Sequence, residues 1–152
     1  MITLKTIREI AAMKDAGRIA ANALQLAGEA VKPGVSTAYI DKIVKAYIKK
    51  QGATPSFLNY NGFPASACIS INNVVIHGIP SEDCIINDGD IVSIDIGAYY
   101  KGYHGDSAKT HGVGLISEEN RKLIEVAKES FYEGLKFAKV GYRLSDISHT
   151  IQ

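Results

Sequence analysis

The stretch Ser93-Ile94-Asp95-Ile96-Gly97-Ala98-Tyr99-Tyr100-Lys101-Gly102-Tyr103-His104-Gly105-Asp106-Ser107-Ala108-Lys109-Thr110 decides how this chain folds. An apolar run, Ile91–Ala98, carries one charge at its centre, and a second run, Tyr103–Thr110, follows the turn Tyr99-Tyr100-Lys101-Gly102. That pattern reads as a β-hairpin. Centring its turn on Tyr100-Lys101 sets Asp95 directly opposite Asp106. Opposed residues hold their Cβ atoms roughly 4.5–5.5 Å apart on one face. Two ionised carboxylates repel at that distance, so a divalent cation, or a pair of them, is expected between them. Val92, Ile94 and Ile96 make the other face apolar. Ser93 and Gly97 are small enough to leave room beside Asp95.

Upstream, Ala67–Ile71 and Val74–His77 flank Asn72-Asn73, a pair suited to a two-residue hairpin turn. That register would set Cys68 opposite His77. Before it lies a loop rich in aromatic and turn residues, Phe57-Leu58-Asn59-Tyr60-Asn61-Gly62-Phe63-Pro64. Thr6-x-x-Glu9 is a capping box that opens a helix to about Val31, with Ile7, Ile10, Met13, Ala16, Ala20, Leu24 and Ala27 at helical spacing. Ser36 or Thr37 caps a second helix to Gln51, turning Ile40, Val44, Tyr47 and Ile48 inward. Ser117-Glu118-Glu119 starts a third, with Leu123, Ala127, Phe131, Leu135 and Ala138 on one face. The segment Lys139-Val140-Gly141-Tyr142-Arg143-Leu144-Ser145-Asp146-Ile147 then resembles Lys32–Ile40 at an offset of 107 residues. A repeat that long points to duplicated halves, and the second copy is interrupted at Gln152.

Composition narrows the function. The chain has 152 residues, 46% of them apolar and 22% charged, with a net charge of +1 and no block of Lys or Arg. This argues for one globular domain and against a nucleic-acid-binding face. The N-terminus has charges every few residues, which excludes a signal peptide or a membrane span there. Two cysteines, Cys68 and Cys84, make no disulfide framework and lack zinc spacing, so a cytoplasmic setting is expected.

Either aspartate alone reads most simply as a strand or turn residue; their pairing is the signal. Oxygen donors suit Mn, Fe, Co or Mg better than a thiolate-rich zinc site, and carboxylates bridging two metals would make a hydrolytic centre. His77 reads either as a strand-end imidazole bonded to backbone or as a functional group fixed by Gly78 and Pro80. His104 and His111 read as solvent-facing or structural. Tyr60, Phe63 and Cys68 are either core residues or the lining of an apolar slot.

The segments KPGVST–YID, NYNGFPASACISINNVVIHGIP, DGDIVSIDIGAYYKGYHGDSAKT and KVGYRLSDI resemble type I methionine aminopeptidases in order and spacing. The resemblance implies an α+β pita-bread fold, its N-terminal half: long helices on a curved antiparallel sheet built from hairpins. Residues 1–152 would form a single incomplete catalytic domain, a first pseudo-repeat over about 3–116 and the start of a second over about 117–152. It implies a cytoplasmic enzyme that removes the initiator methionine from nascent polypeptides by two-metal hydroxide attack. Asp95 would chelate one metal and Asp106 bridge both. His77 would contact the scissile amide, while Tyr60, Phe63 and Cys68 would line the methionine pocket. Implied partners are nascent peptide N-termini and, transiently, the ribosome, with neither nucleic acid nor membrane. The family's remaining metal ligands are not in this sequence, so the chain alone is expected to be inactive and to self-associate at its open sheet edge. The competing expectations are a proline-directed pita-bread peptidase and a non-catalytic peptide- or ribosome-binding module.

Overall fold

The computed structural model describes residues 3–152. The chain divides into two compact units after Leu115. In the first, α1 (Ile7–Ala30) begins at the expected capping box: Glu9 N–H donates to Thr6 Oγ1 at 3.3 Å, and Thr6 N–H donates to the Glu9 carboxylate at 2.7 Å. Its opening turns project outward, with Ile7 88% exposed, so the expected apolar stripe is buried only from Ala16 onward. Ala16, Ala20, Ala23 and Ala27 are fully buried, and these small residues let the helix lie close to the sheet. α2 (Thr37–Lys50) is capped by Ser36, whose Oγ accepts from Tyr39 N–H at 3.2 Å, and it buries Ile40, Val44 and Ile48 completely.

The sheet is built around β3 (Ile91–Tyr100). One edge of β3 takes β1 (Thr54–Pro55) and β2 (Ala67–Ile71); the other takes β4 (Tyr103–Gly112), all antiparallel. Val92, Ile94 and Ile96 are fully buried on the face toward the core formed with α1 and α2. Asp41 of α2 fixes the start of β2: its carboxylate accepts from Ser66 N–H at 2.7 Å and Ala67 N–H at 2.8 Å.

Two expected registers are corrected. Tyr100 pairs with Tyr103, so the turn is Lys101-Gly102 and Asp95 pairs with Ala108, not Asp106. A two-residue hairpin turn of this type needs positive φ at both central positions. Lys101 (φ 50°) and Gly102 (φ 89°) supply it, whereas a turn centred on Tyr100 would waste the glycine. The second correction is that Val74–His77 is not a strand, and Cys68 faces Asp95 of β3 instead of His77. Asn72 is used elsewhere: its side chain accepts from Ile91 N–H at 3.0 Å and donates to Asp90 at 2.8 Å, tying it to the start of β3. Val75 and Ile76 are left 83% and 67% exposed.

The second unit holds α3 (Glu118–Leu135) and α4 (Leu144–Ile151). Ser117 caps α3 by accepting from Asn120 N–H at 3.1 Å. Gly134 permits close packing on α4, since a Cβ there would lie 2.7 Å from Ile151 Cγ1. The apolar face expected to be buried is not: Leu123, Phe131 and Leu135 are each more than half exposed. Two helices meeting at one glycine cannot cover both their apolar faces. Among the described residues no helix is long and apolar enough to cross a membrane.

Candidate metal centre

Odd residues of β3 and even residues of β2 and β4 share the sheet face away from the core. That face carries Cys68, Ser70, Ser93, Asp95, Gly97 and Asp106. Asp95 lies between Cys68 and Ala108, and Asp106 stands opposite Gly97. The carboxylates are therefore diagonal neighbours, a spacing of roughly 7–8 Å that long side chains bridge. The carboxyl of Asp106 is close enough to act directly on that of Asp95.

The electrostatics follow from that crowding. Burial raises the Asp95 carboxyl most, and the charge and close side chain of Asp106 add to it, bringing it to about 6. The nearby His77 ring opposes the rise. Cys68 is pushed up to about 11, first by burial and then by Asp95 and Asp106, so its thiol stays protonated and is no nucleophile at neutral pH. A cation placed against the carboxylates would relieve the repulsion that both shifts record.

His77 reaches this face from a loop held by backbone. Gly78 C=O accepts from Ile69 N–H at 2.9 Å, and Gly78 N–H donates to Ser70 Oγ at 3.0 Å. A Cβ on Gly78 would lie 2.1 Å from the Ile69 carbonyl oxygen, so only glycine fits against β2. His77 itself is exposed and adopts φ 57°, a conformation uncommon for a side-chain-bearing residue. His77 thus comes near Asp95 from a left-handed loop, not from the hairpin that was expected to set it opposite Cys68.

The room expected beside Asp95 is already filled. A Cβ on Gly97 would lie 2.7 Å from Phe57 Cε1 and 2.7 Å from Ser56 Cβ. Phe57 thus sits over the residue opposite Asp106, and sequence reasoning passed it over; a glycine inside a strand was the available signal of such an approach. Ser56 is held there by its Oγ···His104 Nδ1 hydrogen bond of 2.8 Å and by Ser56 N–H donating to Gly97 C=O at 2.9 Å. His104 also packs on Tyr99, with ring centroids 4.7 Å apart. Tyr60 and Phe63 lie farther along the same loop, in a turn closed by Phe63 N–H to Tyr60 C=O at 2.9 Å. Tyr60 is 69% exposed, Phe63 is half-buried, and Cys68 is buried on β2.

In kind, the donors fit a hard divalent cation: two carboxylates with a protonated thiol and an imidazole nearby. In number they fall short. Among the described residues no group of three or more His, Cys, Asp and Glu side chains is placed to hold a metal ion. Asp95 and Asp106 are two carboxylate donors on one face of the sheet.

Known proteins resemble this chain along its whole length. A methionine aminopeptidase 1 of Bacillus subtilis is 54% identical over 152 residues, all of this chain and 61% of that protein. The crystal structure of a methionine aminopeptidase from Thermotoga maritima superposes with a TM-score of 0.97 at 39% identity, covering all of this chain and 61% of that one. A prolidase from Pyrococcus furiosus follows at 0.83 and 27%, covering 97% and 42%. The chain thus spans about three-fifths of the length of the methionine aminopeptidases it matches. The sequence profile of metallopeptidase family M24 matches residues 11–152, and with the carboxylate pair in place on the open face of the sheet, this chain belongs to that family.

Proposed function

We propose that this chain carries part of the catalytic centre of a methionine aminopeptidase, which releases N-terminal methionine from peptides. The observation that carries the reading is the Asp95–Asp106 pair, set diagonally on the open sheet face with His77 beside it. Identity of 54% to a named methionine aminopeptidase favours methionine over proline as the substrate determinant. Asp95 and Asp106 would hold the divalent cations, two in number and of the Mn, Fe or Co class, with Asp106 shared between them. When bound, such cations supply Lewis acidity and lower the pKa of water toward neutrality.

The chain's own residues do the rest. His77 would donate a hydrogen bond to the scissile amide and steady the charge that develops there. Phe57, Tyr60, Phe63 and Cys68 would form an apolar slot for the thioether, Cys68 acting as a small neutral wall. The substrate setting would be the cytoplasm, with new polypeptide N-termini as partners and the ribosome as a transient one. Residues from about 3 to 116 would be one repeat and those from about 117 to 152 the start of another. The division after Leu115, and the left-handed φ shared by the equivalent Gly34 (85°) and Gly141 (100°), support that reading.

Because the donors are incomplete, turnover by this chain alone should be slow or nil, and the direct test is metal binding. Titration of Mn²⁺ followed by electron paramagnetic resonance should show binding that Asp106→Asn weakens at least ten-fold. Wild-type binding unchanged by Asp106→Asn would overturn the site. For substrate class, Met-Gly and Xaa-Pro peptides should be compared with metal present; cleavage of the proline peptide alone would overturn the methionine reading.

A further inference from the structure

The aromatic loop from Phe57 to Phe63 is closed upon itself. Asn59 N–H donates to Phe63 C=O at 2.8 Å, and Tyr60 N–H donates to Phe57 C=O at 2.9 Å. Left-handed φ at Asn59 (67°), Asn61 (48°) and Gly62 (83°) lets so short a segment turn back. These bonds shape the loop without fixing where it stands on the sheet. Its exit is held by Asp41, which accepts from Ser66 and Ala67. Its entry follows β1, only two residues long, and the attachment continues through Ser56. Ser56 N–H donates to Gly97 C=O at 2.9 Å, and its Oγ lies 2.8 Å from His104 Nδ1. Among the described residues, that last contact is the one side-chain hydrogen bond made by residues 56–64.

His104 is well placed to be an anchor. It stands opposite Tyr99 on β3 and packs on that ring. Asp106 follows two residues later on the same face, opposite Gly97. A strand rises about 3.2–3.4 Å per residue, so anchor and carboxylate are roughly 6.5–7 Å apart along one strand. Phe57 and Ser56 lie directly over Gly97, where an added Cβ would meet each at 2.7 Å. The aromatic ring therefore stands across the ladder from Asp106, and Ser56 sets its seat.

We propose that His104 is a positioning residue for the thioether slot: through Ser56 it pins the Phe57 ring over Gly97, beside the carboxylate that its own strand carries. This rests on the reading of Phe57 as a wall of that slot. β4 then acts as a ruler, holding a cation ligand and the slot wall at one separation. A substrate whose side chain and scissile bond lie a fixed distance apart needs that constancy. A wall released from His104 is seated for a smaller fraction of the time, and apparent affinity falls by that fraction. The net worth of one neutral hydrogen bond makes the loss about two- to ten-fold.

The test is fluorine magnetic resonance of the full 152-residue chain with para-fluorophenylalanine at its four phenylalanines, Phe57 being assigned by Phe57→Leu. L-Methionine amide and L-alanine amide are titrated at millimolar concentrations. In the parent, the methionine amide should move the Phe57 signal and the alanine amide should not. Ser56→Ala and His104→Gln should bind the methionine amide about two- to ten-fold more weakly, with unchanged circular dichroism. His104→Asn should restore the parent affinity, because asparagine carries its amide at the reach of Nδ1 and glutamine at that of Nε2. A second measurement needs no variant to fold. In the parent with labelled histidine, the His104 Nδ1 resonance should move with the Phe57 signal at one midpoint. Variants that bind like the parent, or a His104 resonance that stays still while Phe57 moves, overturn the positioning role and leave the slot standing. A parent whose Phe57 signal ignores the methionine amide overturns the slot reading and this inference with it. An equal loss in His104→Asn and His104→Gln overturns the part given to Nδ1.

Discussion

Replacing Gly105 by alanine tests how the sheet is held under its helix. An added Cβ would lie 2.3 Å from both the carbonyl carbon and oxygen of Ala16, and 2.4 Å from Gly17 N. Ordinary contact begins near 3.4 Å, and the obstacle is helix backbone, so no rotamer relieves it. α1 must retreat from β4 by about 1 Å, and a radial gap of that order forfeits roughly a quarter to a half of the dispersion energy of the atoms it separates. The atoms affected include Ala16, Ala20, Ala23 and Ala27, all fully buried now. Overpacking of this kind costs about 1–3 kcal/mol, and a rigid obstacle belongs at the upper end. At about 2–4 °C per kcal/mol for a chain of this size, the melting temperature should fall by roughly 6–12 °C. Gly17→Ala is the matched control on the facing helix: a Cβ there meets nothing within 4 Å. It should stabilise by about 0.5–1 kcal/mol through helix propensity alone. Calorimetric scans of both variants decide the matter. A Gly105→Ala melt within about 2 °C of the parent, a limit of roughly 0.5–1 kcal/mol, would refute the close-approach argument.

Acid should weaken the anchor of α1. The Thr6 backbone and side-chain hydrogen bonds first, and Tyr103 O–H after them, hold the Glu9 carboxyl at about 2, below its ordinary 4.5. A depressed carboxyl stabilises the fold above 4.5, and that contribution is lost as the pH falls through about 2. The melting-temperature gap between the parent and Glu9→Gln should therefore be full at about pH 6 and close toward about pH 2; a gap independent of pH would contradict the assignment. Asp41→Ala should cost about 2–4 kcal/mol in urea unfolding, because it strips the acceptor from two N–H groups at a start of β2 where Ser66 is fully buried. An unchanged midpoint would show that water replaces the carboxylate there.

The helices were legible because each carried its own caps and period: Thr6 with Glu9, Ser36 and Ser117 all act where their chemistry puts them. The aspartates were legible as a pair because one short hairpin holds them, even with its turn misplaced. Moving the turn by one residue shifts the opposed partner by two. Both carboxylates therefore stay on the same face despite the misplaced turn. The pairing of β2 was not legible, since Asn72-Asn73 offers good local turn chemistry that Asp90 and Ile91, some 18 residues away, take over.

By itself, then, the sequence determined the local elements, the face on which Asp95 and Asp106 lie, and the family whose motifs they belong to. Tertiary structure alone decided that Cys68 stands beside Asp95, that Phe57 covers Gly97, and that His77 arrives from a left-handed loop. The physical reason is range. Caps, turns and strand alternation act over two to four residues and are written locally, whereas those three placements depend on the pairing of β2 with β3 and on the close approaches at Gly78 and Gly97, which join residues beyond that range.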